Sequence, residues 1–320
     1  MMRLNLYLVG ASLLLLIALV APVGLSSNMR HLLILSCIFA MVAASWDLTL
    51  GYGGIFNFAH LAFFGLGVYA AAITVLTFDL SPWLGFPAGA LAGMVAAAIV
   101  TLPVLRLKGI YIVLVTFAFS QLALQLILSS SEITGGMGGM VSIPSLKIGD
   151  YNFAGDGRLA FYYLAVSSLA AMLAILFLIT RSEFGKGLVA IRDNADYAAS
   201  RGVNEARHRL ISMLVSGALS GFAGAFYALY LRVASPDVFG FGLSSLVLSM
   251  VLVGGIGTLF GPIVAAVAIT LATSLMMDFG AWRFVIVSVL LILVLRFSPA
   301  GLWGLAGALT HQGLLALKRR

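Results

Sequence analysis

Apolar stretches of about twenty residues follow one another along almost the whole chain, and this succession leaves essentially one kind of fold open. A helix needs about 20 apolar residues to cross a hydrocarbon core of roughly 30 Å. The 320 residues hold about ten such windows. They predict helices near 5–25, 31–50, 56–77, 83–105, 109–129, 159–180, 210–231, 244–260, 261–277 and 283–297. Only 9% of residues are charged, whereas soluble domains carry about 25%. The expected fold is therefore an all-α polytopic membrane protein of about ten transmembrane helices, a single domain over 1–320. The first window follows Arg3 and runs from Leu4 to Leu25, longer than the apolar region of a signal peptide, so it reads as an uncleaved first helix.

One segment breaks the apolar pattern. Arg181 to Arg209 reads RSEFGKGLVAIRDNADYAASRGVNEARHR, with six Lys/Arg and four Asp/Glu. A polar insert between two spans must face water, and its basic excess points to the cytoplasm. With the N-terminus inside, thirteen Lys/Arg fall on the cytoplasmic side and five (Arg30, Lys147, Arg158, Arg232, Arg283) outside. This asymmetry predicts that both termini are cytoplasmic. The net charge of +7 sits in short loops and the tail, so it is no nucleic-acid footprint. The outer side then receives a long loop at 130–158 with the string ITGGMGGM, and a turn at 233–243 containing Ser235, Pro236 and Asp237.

Within the insert, Leu188, Ile191, Ala195 and Ala198 or Ala199 recur at helical spacing. Asn194 or Asp196 is placed to cap a second short helix. Such an element suits either a groove on a partner protein or a surface of anionic lipid headgroups.

Two glycine-rich breaks interrupt the spans: Gly51-Tyr-Gly-Gly-Ile-Phe-Asn-Phe-Ala-His60 and Val253-Gly-Gly-Ile-Gly-Thr-Leu-Phe-Gly-Pro262. Either can be a re-entrant or broken helix. Paired breaks in two halves of a transporter point to moving or substrate-facing parts, and Gly254 and Gly255 are candidates there. The alternative for 254–262 is a tight turn between two short spans. Asn57 and His60 are three apart and share a face of a helix at that spacing, with Gly65 and Tyr69 continuing along it. Polar groups at membrane depth need partners. These residues either line a path or subunit interface, or make interhelical hydrogen bonds that lock packing. Asp47 is either buried and functional or placed at the cytoplasmic interface beside Trp46.

Several chemistries are excluded. Cys37 is the only cysteine, so an intrachain disulfide and a cysteine metal site are out. A single membrane His makes a poor metal site. There is no GxxxxGK[ST], so this chain cannot itself cradle ATP phosphates, and no HExxH, CxxC or GxSxG occurs. No enzyme activity and no cofactor are expected on the chain.

Five stretches in order resemble one family, the LivM/LivH-type permease subunits of branched-chain amino acid ABC transporters. They are GYGGIFNFAHLAFFGLGVYAA, LRLKGIYIVLVTFAF, TGGMGGM, SEFGKGLVAIRDNADYAASRGV and VLVGGIGTLFGP. The string Asn57-Phe58-Ala59-His60 looks more like the LivH type and Ala62-Phe63-Phe64-Gly65 like the LivM type. The long insert and the helix count favour LivM. The resemblance implies that the insert couples to an ATPase subunit, with Ala198, Ala199 and Gly202 as the small-residue core of a coupling helix and Arg192 as its anchor. Tyr197 stands where that family often has an acidic residue. It also implies a second, LivH-type permease, two ATPase subunits carrying ATP and Mg, an external solute-binding protein touching Thr134, Gly135, Gly136 and Asp237, and a bacterial inner-membrane location. Similar permeases serve leucine-type amino acids, urea or short amides, or small organic acids, and the spans do not separate these. Readings from other classes are a gradient-driven transporter or channel, with Asp47 and His60 as ion-handling groups, and a scaffold whose insert recruits a cytosolic protein.

Overall fold

The computed structural model describes residues 24–276 apart from Lys108, with isolated positions at 280, 282 and 289 beyond. The expected helices at 5–25 and 283–297 lie outside the described residues. The other eight are present. They are α1 (Ser27–Asp47), α2 (His60–Leu76), α3 (Gly85–Val104), α4 (Ile110–Ser129), α5 (Leu159–Arg181), α8 (Glu205–Leu231), α9 (Phe241–Gly254) and α10 (Gly261–Leu275). Between α5 and α8 the insert forms α6 (Glu183–Asp193) and α7 (Ala195–Ser200). Five of the helical segments are long and apolar enough to cross a membrane, and α2, α9 and α10 are shorter apolar helices.

Connectivity alternates. α1, α3, α5 and α9 run toward the end that carries the insert, and α2, α4, α8 and α10 run away from it. Both glycine-rich breaks therefore lie at the insert end. The core forms around α1 and α8. The span containing α1 is 78% buried, whereas those of α4 and α5 are 28% and 22% buried and form the outer wall. α8 packs on α3 and α2 through small residues. A Cβ on Gly221 would meet the backbone of Gly89 and Gly93, and one on Gly67 would meet the backbone of Gly221. With no apolar solvent gain between helices in lipid, such close approach supplies the dispersion contact that holds them.

Three of the boundaries that differ from the sequence expectation have a local cause. α2 begins at His60 rather than 56. The Asn57 carboxamide oxygen accepts from Ala59 N at 2.8 Å, a local turn that competes with helix. α9 stops at Gly254, because Gly255, Gly257 and Leu259 all hold positive φ (108°, 75° and 56°). α8 starts at Glu205, inside the polar insert, because Asn204 caps it by accepting from Arg207 N at 3.0 Å. Hydropathy cannot register a polar first turn.

At the opposite end the 130–158 segment is partly ordered by short strands. β1 (Met140–Val141) pairs antiparallel with β4 (Val233–Ala234), and β2 (Lys147–Ile148) with β3 (Tyr151–Asn152). Arg232 Nε donates to Ile143 O at 2.7 Å and fastens the same junction.

Candidate functional site: the junction of two glycine-rich breaks

The two breaks meet. After α1 the chain makes a π-helical turn, Leu48–Tyr52, and then leaves helical geometry until His60. π turns of this kind are frequent at functional sites. A Cβ on Gly51 would fall against Gly257 N and the Asp47 carboxylate, so glycine is required for the contact. Asp47 is fully buried. Its Oδ1 accepts from Gly257 N at 2.7 Å and its Oδ2 from Leu259 N at 3.2 Å. These are backbone donors of the non-helical turn between α9 and α10, which has no ladder to pair them, and the carboxylate at the end of α1 satisfies them. The sequence left Asp47 between a buried role and an interfacial one, and the structure buries it.

Arg192, in the last turn of α6, reaches the same point. Its Nη1 donates to Gly51 O at 2.8 Å, and its stem covers Gly54. Its Nη2 also pairs with Asp193 at 2.9 Å. Arg192 is thus bonded to the membrane bundle rather than projecting from the insert. Further contacts fasten the insert. Phe184 stacks on His208 with ring centroids 4.9 Å apart, joining α6 to α8. Asn194, not Asp196, caps α7, accepting from Tyr197 N at 2.9 Å. Ala198 is buried, whereas Ala199 and Gly202 are exposed, and Gly202 holds φ 85° where the chain reverses. Tyr197 is 57% exposed, and Arg201 lies over its ring at 5.4 Å.

The irregular stretch before α2 is held from α4. Thr116 Oγ1 accepts from Phe58 N at 3.0 Å, and Ser120 Oγ donates to Phe58 O at 2.9 Å. Non-helical backbone inside a bilayer survives only where protein or a cavity satisfies it. These two hydroxyls meet that need.

His60 is fully buried at the centre of a polar knot. Its Nε2 lies 2.9 Å from Ser45 Oγ and its Nδ1 3.4 Å from Ser216 Oγ. Ser216 Oγ donates to Ser45 O at 2.6 Å, Ser220 Oγ donates to His60 O at 3.2 Å, and the imidazole stacks on Trp46 at 5.2 Å. The knot joins α1, α2 and α8. Asn57 is also buried, its Nδ2 3.5 Å from Met213 Sδ on α8. Asn57 lies outside the helix that was to place it on one face with His60, yet both converge on α8. Tyr69 is buried beside Phe239, and its hydroxyl has no hydrogen-bond partner among the described residues. Gly254 packs against Gly261 and Pro262, while Gly255 makes the turn. Serines at 212, 216 and 220 recur every four residues on α8. That spacing was the signal for the knot, and sequence reasoning missed it.

At the far end, Thr134 is buried, its Oγ1 donating to Ile127 O at 2.6 Å, and Gly136 is buried too. Both shape the turn. Gly135 and Asp237 are exposed, with Ser235 Oγ donating to the Asp237 carboxylate at 2.7 Å. Among the described residues no group of His, Cys, Asp or Glu has the arrangement of a metal site.

The fold and its buried polar junctions define a multi-pass helical membrane protein. The family of permease components of branched-chain amino acid transport systems matches residues 28–295, and the chain belongs to it. It is similar to the high-affinity branched-chain amino acid transport system permease protein LivM of Salmonella typhimurium, 29% identical over 310 residues covering 90% of this chain and 73% of the relative. LivM of Escherichia coli is 28% identical over the same shares. LivH of Salmonella typhimurium is 25% identical over 83% of this chain and 91% of the relative. No solved structure matches the chain. The family assigns it a permease's part in a transport system rather than an enzyme's.

Proposed function

We propose that this chain is the LivM-type membrane subunit of an ATP-driven importer for branched-chain amino acids or a related small polar solute. It would sit in a bacterial inner membrane with both termini and the insert in the cytoplasm. The proposed assembly adds a LivH-type permease, two ATPase subunits that carry ATP and Mg, and an external solute-binding protein. One observation carries the coupling assignment. The most highly charged segment between described helices is folded into two helices, and Arg192 fastens it to the point where the two glycine-rich breaks meet. A push on α7 would pass through Arg192 on α6 to the end of α1 and, across Gly51, to the turn after α9. The exposed Ala199–Gly202 edge is the surface offered to an ATPase. At the other end, Gly135 and Asp237 mark the surface offered to the binding protein.

A gradient-driven transporter is disfavoured by the bonding of its two candidate groups. Asp47 is engaged by two backbone donors and His60 by two serines. Urea, short amides and small organic acids stay as alternative cargo, to be decided by ligand binding to the recovered external subunit. The test of coupling is uptake in membrane vesicles. Gly202→Arg and Arg192→Glu should abolish uptake while the protein still inserts, and normal uptake in both would defeat the assignment.

A further inference from the structure

α4 presents a face that its membrane setting cannot leave bare. Its buried side is Ile112, Thr116, Ser120, Ala123 and Ile127. On the opposite side Gln121 and Gln125 lie four residues apart and are exposed, with the small exposed Ala118 one turn before them. Neither glutamine has a hydrogen-bond partner among the described residues. At 1.5 Å per residue, Gln121 stands about 2 Å from the middle of the 20-residue helix and Gln125 about 8 Å from it. The helix is about as long as the hydrocarbon core is thick, so both amides fall at depths where lipid offers no partner. Polar side chains at such depth face protein or a water-filled cavity.

We infer that the Gln121–Gln125 face of α4 is covered by the second permease and that these two amides line the solute passage between the two subunits. This rests on the importer reading above. Two features select the occupant. The chain is similar to two differently named permeases of one organism, LivM and LivH of Salmonella typhimurium, so a homologous mate is the available cover. The mate must also hydrogen-bond or leave a wet gap, which lipid cannot do. Neutral amides suit a passage. Each can donate to a carboxylate or accept from an ammonium group while carrying no charge that would trap either.

The test uses the complex in native membranes. A photo-crosslinking amino acid at position 121 or 125 should give adducts with a co-purifying polypeptide of permease size. Adducts with lipid alone, or only within this chain, would overturn the inference. Gln121→Leu should lower uptake at least tenfold at unchanged yield of the assembled complex, and Gln121→Asn should recover part of it. Unchanged uptake in Gln121→Leu would overturn the passage role. Co-purification of an ATPase is scored separately on the same sample. Its absence defeats the importer reading, whereas its presence together with lipid-only adducts defeats this inference alone.

Discussion

Asp47 is the residue on which the insert-end junction depends. Its carboxylate is the sole acceptor shown for Gly257 N and Leu259 N, both in the non-helical turn between α9 and α10. Removing a partner from a buried donor costs about 1–3 kcal/mol per orphaned group. Asp47→Ala is therefore expected to lower the unfolding midpoint of the detergent-solubilised protein, and Asp47→Asn to lower it less, since the amide oxygen can still accept one bond. Thermal unfolding followed by tryptophan fluorescence or circular dichroism checks the ranking. His60 behaves likewise. A residue that looked fit to handle ions is buried with its ring nitrogens 2.9 and 3.4 Å from the Ser45 and Ser216 hydroxyls. His60→Leu keeps the volume roughly constant but leaves Ser45 and Ser216 without it. The expected result is a destabilised protein whose residual uptake, per folded molecule, has the same dependence on a proton gradient as wild type. A change in that dependence would restore His60 to an ion-handling role. Sequence spacing singled out both residues, but it could not say what they touch, because their partners lie 15 to 212 positions away.

At the scale of elements, the close crossings of α8 with α2 and α3 decide whether the bundle forms. Gly221 has no room for a side chain, because the backbone of α3 at Gly89 and Gly93 occupies the place of its Cβ. Overpacking of a tight core costs typically about 1–3 kcal/mol. Here the obstacle is backbone rather than a flexible side-chain end, so Gly221→Val should abolish the monodisperse peak in gel filtration. Gly242, which has open space at its Cβ, provides the control: Gly242→Ala should elute as wild type. The insert makes a different demand. Asn194→Ala removes the cap of α7, and losing such a cap costs about 0.5–2 kcal/mol. If α7 transmits the ATPase stroke, this variant should raise the ATP hydrolysed per solute imported, with assembly intact. A ratio equal to wild type would show that α7 need not be rigid. The eight described apolar helices were legible because apolar length survives any packing. Their ends were not, because α2, α8 and α9 begin or stop at polar caps and positive-φ turns that a hydropathy window averages away.

At the scale of the molecule, alternation of the spans brings two breaks separated by about two hundred residues into contact at one end and joins the 130–158 segment to the α8–α9 turn at the other. Arg192 connects the first of these junctions to the insert. Replacing it by Lys preserves charge but loses the planar fork that reaches Gly51 O while pairing with Asp193. Arg192→Lys is expected to assemble normally with reduced uptake, intermediate between wild type and Arg192→Glu, as measured by solute flux in vesicles.

Apolar length by itself determined a helical membrane protein, because burial in lipid depends on local composition. The same strings also carried the family likeness. Only the tertiary structure decided which polar residues are bolts and which are left facing outward. Asp47, His60 and Asn57 turn inward to partners on distant helices, while Gln121 and Gln125, unremarked in the sequence, point away from the bundle. A polar atom's role depends on what stands within about 3 Å of it, and in a bundle of antiparallel spans that neighbour is set by packing across the fold rather than by spacing along the chain.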